Sequence, residues 1–70
     1  MSFGEQVRRR REALNLTQID VAEKTGWSQA RISRIERNVS AESLDLSEVR
    51  ELAKALELEP MTVAGFALAA

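Results

Sequence analysis

The sequence predicts an all-α fold of five helices, built as a single domain of 70 residues. Glycine occurs three times and proline once, so the chain has few breaks. The strict alternation of apolar and polar residues that is typical of strands is absent. Apolar residues instead recur three and four positions apart, between residues that commonly begin or end helices. These three observations together indicate a compact helical domain.

The first helix is predicted at about residues 3 to 14, followed by Asn15, which tolerates the left-handed conformation. The second helix is predicted to begin after Thr17, which has the character of an N-cap. Asp20 stands three residues later, as in a capping box. Gly26 is predicted to end this helix, because glycine adopts the left-handed conformation without steric cost.

The third helix is predicted from its N-cap Ser28 to about Arg37, and Asn38 suits the position after it. At about 100° per residue, Ile32 and Ile35 lie on one side, which indicates that this side faces the core. The opposite side carries small and polar residues, namely Ala30, Ser33, Arg34 and Arg37.

The fourth helix is predicted at about residues 45 to 57, beginning with the N-cap pair Asp45 and Glu48. Its apolar residues follow the i, i+3, i+4, i+7 pattern of an amphipathic helix: Val49, Leu52, Ala53 and Leu56. Pro60 suits the first turn of a fifth helix over about residues 60 to 69.

Two charged residues fall on faces that are otherwise apolar. Arg11 lies on the side of the first helix that carries Val7 and Leu14, and Glu36 lies beside the two isoleucines of the third helix. Burying an unpaired charge is very costly. We therefore predict that Arg11 and Glu36 form an ion pair.

The composition excludes several classes of function. Without cysteine or histidine the chain lacks disulfides, the usual zinc ligands and the commonest general base, so no metal or other cofactor is expected. No paired carboxylates, activated nucleophile or phosphate-binding loop suggests an enzyme. The segment "MSFGEQVRRRR" has no apolar core, so no signal peptide is expected. The stretch "MTVAGFALAA" is too short to span a membrane.

The net charge of −1 conceals two halves of opposite sign. Residues 1 to 37 contain eight basic and five acidic residues, a net charge of +3. Residues 38 to 70 contain two basic and six acidic residues, a net charge of −4. The first half is therefore the part of the chain that suits a polyanion.

The segment "LTQIDVAEKTGWSQARISRIERN" resembles the helix-turn-helix domain of phage repressors and Cro, the XRE or lambda-repressor-like family. The resemblance covers about residues 3 to 58, with the helix-turn-helix at about residues 17 to 37 and Gly26 at its turn. The family's Arg–Glu ion pair maps onto Arg11 and Glu36. Departures from the pattern are Thr25 at an often apolar position, the rather long loop "NVSAES", and Asn38 and Glu57 where glycine is common.

The resemblance implies that the third helix lies in the major groove of DNA. It assigns base contacts to Gln29, Ala30 and Arg34, with Ser33 as a weaker candidate. Their chemistry agrees, because glutamine can pair with adenine, arginine with guanine, and alanine can meet the thymine methyl group. Taken alone, Arg34 and Arg37 would be ordinary surface, and Trp27 is expected to be a core residue rather than a base-stacking one.

Phosphate contacts are expected at the edges of this surface. The resemblance gives Gln18 this role at the N-terminus of the second helix, where backbone N–H groups favour an anion. The further candidates are Ser28, Arg9, Arg10, Arg31, Arg37 and Asn38.

The expected function is therefore sequence-specific binding of double-stranded DNA by a cytoplasmic transcriptional regulator, a repressor of bacterial or phage origin. A homodimer on an inverted-repeat operator is expected, because one such motif reads only a few base pairs. Its contact surface would include apolar residues near the end of the sequence: Met61, Val63, Phe66 and Leu68. Two alternatives stay open, an antitoxin with a toxin bound at this segment, and a protein-interaction module that binds a partner there.

Overall fold

Four α-helices make up most of the computed structural model, which describes residues 2–39 and 43–58. The helices are α1 (Phe3–Ala13), α2 (Gln18–Thr25), α3 (Gln29–Glu36) and α4 (Leu46–Ala55). No strand occurs among these residues. The all-helical class is confirmed, but the count of five helices is not, because the predicted fifth helix over residues 60 to 69 lies outside the described residues.

Each helix begins at a residue whose side-chain oxygen accepts a backbone N–H from the first turn. These residues are Ser2, Thr17, Ser28 and Asp45. Both predicted pairs form complete capping boxes. The N–H of Thr17 donates to Asp20 Oδ2 at 2.8 Å, and the N–H of Asp45 donates to Glu48 Oε1 at 3.1 Å. The starts of α2 and α4 are therefore specified by local sequence.

The ends of α1, α3 and α4 share one motif, in which a left-handed residue follows the helix. These residues are Asn15 and Asn38, both with φ of 58°, and Glu57, with φ of 55°. In each case the next N–H bonds back across the last turn: Leu16 to Arg11 O at 3.0 Å, Val39 to Arg34 O at 3.1 Å, and Leu58 to Ala53 O at 2.9 Å. This is the Schellman arrangement. α2 ends in the same way at Gly26, with φ of 77°, after which the N–H of Trp27 bonds back to Ala22 O at 3.1 Å.

The core lies among the four helices, all of which contribute buried residues. α3 packs against α1 and α2, and α4 packs against α2. The main cluster consists of Val7, Val21, Ala22, Ile32, Ile35, Leu52, Ala55 and Leu56. Trp27 is half-buried and packs against it, as expected of a core residue. The four apolar residues predicted for the inner face of α4 are all buried.

Gly4 allows α1 to begin directly against the last turn of α3. A Cβ atom there would overlap the carbonyl oxygens of Ile35 and Glu36 and lie 2.8 Å from Asn38 Oδ1. The N–H of Gly4 donates to Asn38 Oδ1 at 2.9 Å, and Asn38 Nδ2 donates to Ser2 Oγ at 2.8 Å. The side chain of Asn38 therefore joins the end of α3 to the start of α1.

Candidate nucleic-acid interface

The outer face of α3 carries the four residues predicted to contact bases. Gln29 and Ala30 are exposed, and Ser33 and Arg34 are partly exposed. The opposite side of the helix is closed by Ile32 and Ile35, which are 0% and 3% exposed. α3 is thus anchored along one side and presents small and polar side chains along the other. Such a helix is suited to insertion in a groove.

A buried ion pair lies beneath this helix and connects it to α1. Arg11 Nε lies 2.7 Å from Glu36 Oε2, and Arg11 Nη2 donates to Glu36 Oε1 at 3.0 Å. The third guanidinium nitrogen donates to the carbonyl of Leu16 at 2.9 Å. The hydrogen bond to Glu36 raises the pKa of Arg11. The pair predicted from the two apolar faces is therefore present, in the bidentate geometry that arginine favours.

Gln18, the first residue of α2, belongs to the same network. Its Nε2 donates to Glu36 Oε1 at 3.1 Å, and its side chain is partly buried. The carboxylate of Glu36 thus accepts hydrogen bonds from both α1 and α2. This places the N-terminus of α2 beside the C-terminal turn of α3. The phosphate contact expected of Gln18 stays a prediction.

Two further phosphate candidates stand at opposite ends of α3. Ser28 is exposed and accepts the N–H of Arg31 at 3.1 Å as the N-cap. Arg37 is exposed and its Nε makes a long hydrogen bond of 3.4 Å to the carbonyl of Ser33. Both side chains border the outer face of α3. They can therefore meet a polyanion without rearrangement of the core.

Arg10 and Asn38, two further phosphate candidates, have hydrogen-bond partners within the protein. Arg10 Nε donates to the carbonyl of Leu56 at 2.9 Å, and its Nη2 donates to the carbonyl of Glu57 at 3.2 Å. A cation at this position also complements the negative end of the dipole of α4. The amide of Asn38 is occupied by the start of α1, as described above. The predicted phosphate contacts of these two side chains stay predictions, and each would have to be made in addition to these internal hydrogen bonds.

Arg31 is likewise held by neighbouring elements. Its guanidinium carbon lies 4.3 Å from the centroid of the Trp27 ring, and its Nη2 forms an ion pair with Glu48 Oε2. The pKa of Glu48 is lowered, first by the N–H of Asp45 and then by Arg31. The Arg31 side chain is 21% exposed. It thus links α3 to α4, which the sequence did not suggest, because the two residues share no local spacing.

The model of the family described as "Helix-turn-helix" matches residues 7–62, which is most of the chain. This chain belongs to the helix-turn-helix family, in its XRE or lambda-repressor-like type. Proteins of this type are DNA-binding regulators of transcription, and the match places the chain among them. No curated protein matches the sequence.

In this helix-turn-helix protein, α2 and α3 are the two helices of the motif, and Gly26 and Trp27 form its turn. The residues predicted to contact bases belong to α3, the second helix of this motif, and Gln18 begins α2, the first. Two contacts could not be predicted from the sequence: the attachment of Arg10 to the end of α4 and that of Arg31 to Glu48. Both join residues distant in sequence, for which periodicity carries no signal.

Two features of residues 2–39 and 43–58 bear on other functions. Within them, no group of three or more Asp, Glu, His or Cys side chains lies close enough to hold a metal ion. None of the four helices has the length and apolar character needed to cross a membrane.

Proposed function

We propose that this helix-turn-helix protein is a sequence-specific repressor that reads the major groove of double-stranded DNA with α3. The observation that carries the proposal is the division of α3 into two sides. Ile32 and Ile35 are buried in the core, while Gln29 and Ala30 are exposed. In helix-turn-helix complexes the second helix of the motif lies in the major groove with its N-terminal residues toward the base edges.

The chemistry of the outer face suggests which bases are read. The amide of Gln29 can pair bidentately with adenine, and the guanidinium of Arg34 with guanine O6 and N7. Ala30 is small enough to let the helix approach and can contact a thymine methyl group. Ser33 can donate to or accept from either kind of base and adds less discrimination. The operator half-site should therefore contain an adenine and a guanine that depend on Gln29 and Arg34.

Phosphate contacts would hold the motif in register on the duplex. We assign them to Gln18, at the start of α2, and to Ser28 and Arg37, at the two ends of α3. The hydrogen bond from Gln18 to Glu36 supports this assignment, because it holds the amide in place before DNA arrives. Arg9, which is exposed on α1, stays a candidate for a peripheral phosphate contact.

A homodimer on an inverted repeat completes the proposal. A single motif of this size covers too few base pairs to be specific, and two-fold dimers bind half-sites about one helical turn apart. The residues expected at the dimer contact are Met61, Val63, Phe66 and Leu68, which lie outside the described residues. The antitoxin and protein-interaction alternatives concern the same segment, and no contact among the described residues favours either.

The first test is selection of bound duplexes from a random DNA pool, followed by titration of the selected sequence at several salt concentrations. An enriched inverted repeat whose affinity falls steeply with salt is the expected result. A pool that never enriches, with weak salt-sensitive binding alone, would contradict the proposal. Sedimentation with and without the selected duplex tests the dimer, and a monomer in both states would contradict that part.

Single substitutions then assign the contacts. Arg34→Ala should cost about 1–3 kcal/mol on the selected site and relax the preference at one base position. Arg37→Ala should weaken all sequences alike and reduce the salt dependence by about one phosphate contact. Glu51→Ala, on the exposed side of α4, is the control and should leave the base preference unchanged.

A further inference from the structure

Arg31 stands in the candidate reading helix, directly after Ala30, yet its guanidinium lies between Trp27 and Glu48. We propose that Arg31 is a positioning residue, which fixes how the first turn of α3 faces DNA, and that it is not a phosphate contact. This inference rests on the proposed function, because it concerns the same reading helix.

Trp27 provides a fixed surface for the guanidinium. The backbone N–H of Trp27 donates to the carbonyl of Ala22 at 3.1 Å, and its nitrogen lies 3.3 Å from the hydroxyl oxygen of Thr25. That hydroxyl donates in turn to the carbonyl of Val21 at 2.9 Å. The indole ring packs against the main core cluster. Backbone hydrogen bonds fix the turn, and packing against the core fixes the indole ring. A cation stacked on that ring is therefore fixed as well.

Glu48 provides the second attachment, from a different helix. Its Oε1 accepts the N–H of Asp45 in the capping box of α4, which leaves Oε2 for the ion pair with Arg31. α4 is itself fixed in the core through Leu52 and Leu56, which are both fully buried. The carboxylate therefore cannot follow a rotation of α3. It opposes such a rotation through Arg31.

The consequence for recognition follows from the position of Arg31 in the helix. A side chain held at two points on one side of the first turn limits rotation of that turn about the helix axis. Gln29 and Ala30 lie in the same turn, so the restraint sets the direction in which they meet base edges. Because the charge of Arg31 is paired with Glu48, its guanidinium would release no counterion from DNA.

The test compares two charge-removing variants with matched controls. Arg31→Met retains an apolar stem over Trp27 but loses the ion pair, and Glu48→Gln retains an acceptor for the N–H of Asp45. Arg37→Met removes an exposed cation from the same region. Glu51→Gln removes an exposed acid from the same helix as Glu48. All are measured on the selected duplex and on unrelated DNA at several salt concentrations, at a temperature where circular dichroism shows each variant fully folded.

The expected result separates specificity from salt dependence. Arg31→Met and Glu48→Gln should each lower the ratio of specific to unrelated binding by about tenfold, as for loss of one well-placed base contact. The logarithmic salt slope should not decrease in either. Arg37→Met should lower that slope by about 0.9, the value for one phosphate. Glu51→Gln should behave as the parent protein.

A slope for Arg31→Met that falls as much as that for Arg37→Met would overturn the inference, because Arg31 would then be a phosphate contact. A parent-like specificity ratio in both Arg31→Met and Glu48→Gln would also overturn it, while leaving the proposed function intact. A parent protein that selects no sequence would overturn both. Fluorescence of Trp27, the only tryptophan, gives a readout without DNA. Its emission should change in Glu48→Gln and not in Glu51→Gln, and equal spectra would count against the restraint.

Discussion

At the scale of single residues, two departures from the family's pattern, Asn38 and Glu57, lie at left-handed positions after helices. Three positions after helices are left-handed without being glycine: Asn15, Asn38 and Glu57. Asparagine tolerates this conformation, whereas a longer side chain pays a steric cost. Asn38 also uses its amide to cap α1, which a glycine cannot do. At Glu57 the hydrogen bond from Arg10 is to the backbone carbonyl, which a glycine would provide equally well.

The first prediction follows from Glu57. Glu57→Gly should raise the free energy of unfolding by about 0.5–1 kcal/mol, because glycine relieves the left-handed strain and keeps the carbonyl that Arg10 binds. Urea denaturation measures the change. Glu51→Gly removes the same charge from the helical interior of α4 and should instead destabilise by about 1 kcal/mol. Equal signs for the two variants would contradict the assignment of strain.

The second prediction concerns Gly4. Gly4→Ala should lower the free energy of unfolding by about 1–3 kcal/mol, because the added methyl group meets backbone carbonyls of α3 that cannot move aside. This loss should exceed the gain of about 1 kcal/mol from the better helix propensity of alanine. Thermal denaturation measures it. Glu5→Ala, at the exposed neighbouring position, is the control, and its melting temperature should stay close to that of the parent.

At the scale of elements, α2 and α4 begin with the same chemistry. In each, a carboxylate three residues after the N-cap accepts the backbone N–H of that cap. The pKa of Asp20 is lowered by its hydrogen bonds from Thr17, and that of Glu48 by those from Asp45 and Arg31. Both carboxylates therefore stabilise the helix starts in their charged form. Protonation of Asp20 and Glu48 would therefore weaken the capping boxes of both helices.

The third prediction is the resulting dependence on pH. A carboxylate whose folded-state pKa is lowered contributes its full stabilisation above its ordinary pKa and loses it as the pH falls through the lowered value. The ordinary values are 3.8 for Asp20 and 4.5 for Glu48. The melting temperature should therefore fall when the pH is taken from neutral to below 3.8.

Variants identify the source of that loss. Glu48→Gln cannot be titrated at this position, so its melting temperature should fall less on acidification than that of Glu51→Gln, which has the same net charge. An equal fall in the two variants would show that the capping box of α4 does not contribute to the pH dependence. Thermal denaturation followed by circular dichroism at each pH is the measurement.

At the scale of the whole molecule, one buried carboxylate joins three helices. Glu36 of α3 accepts hydrogen bonds from Arg11 of α1 and from Gln18 of α2. Its side chain is 3% exposed and that of Arg11 is 12% exposed. No buried side-chain nitrogen or oxygen lacks a partner among the described residues. The arrangement fixes α3 relative to the start of α2, the two parts of the proposed DNA surface.

The fourth prediction tests this network. Arg11→Met should lower the free energy of unfolding by about 3–5 kcal/mol, because it leaves the Glu36 carboxylate buried without its cation. Arg8→Met makes the same change at an exposed position of α1 and should alter stability by less than about 0.5 kcal/mol. The double variant Arg11→Met with Glu36→Leu should recover much of the loss, since no buried charge then remains. A double variant no better than Arg11→Met would contradict the explanation.

The sequence by itself determined what depends on local chemistry and periodicity. The N-caps Thr17, Ser28 and Asp45, the turn at Gly26 and the apolar face of α4 were all predicted from neighbours within a few residues. The pairing of Arg11 with Glu36 was also predictable, because each was a charge on an apolar face and had no other place to be neutralised.

Only the tertiary structure decided how the remaining charged and polar side chains are used. Four residues predicted to contact phosphate bind partners that are 17 or more residues away, in other elements of the fold. They are Arg10, Gln18, Arg31 and Asn38. Helix periodicity places a side chain on a face but does not say which element covers that face. The choice between a DNA-facing and a protein-facing guanidinium therefore depends on how the helices pack, which is a property of the folded molecule.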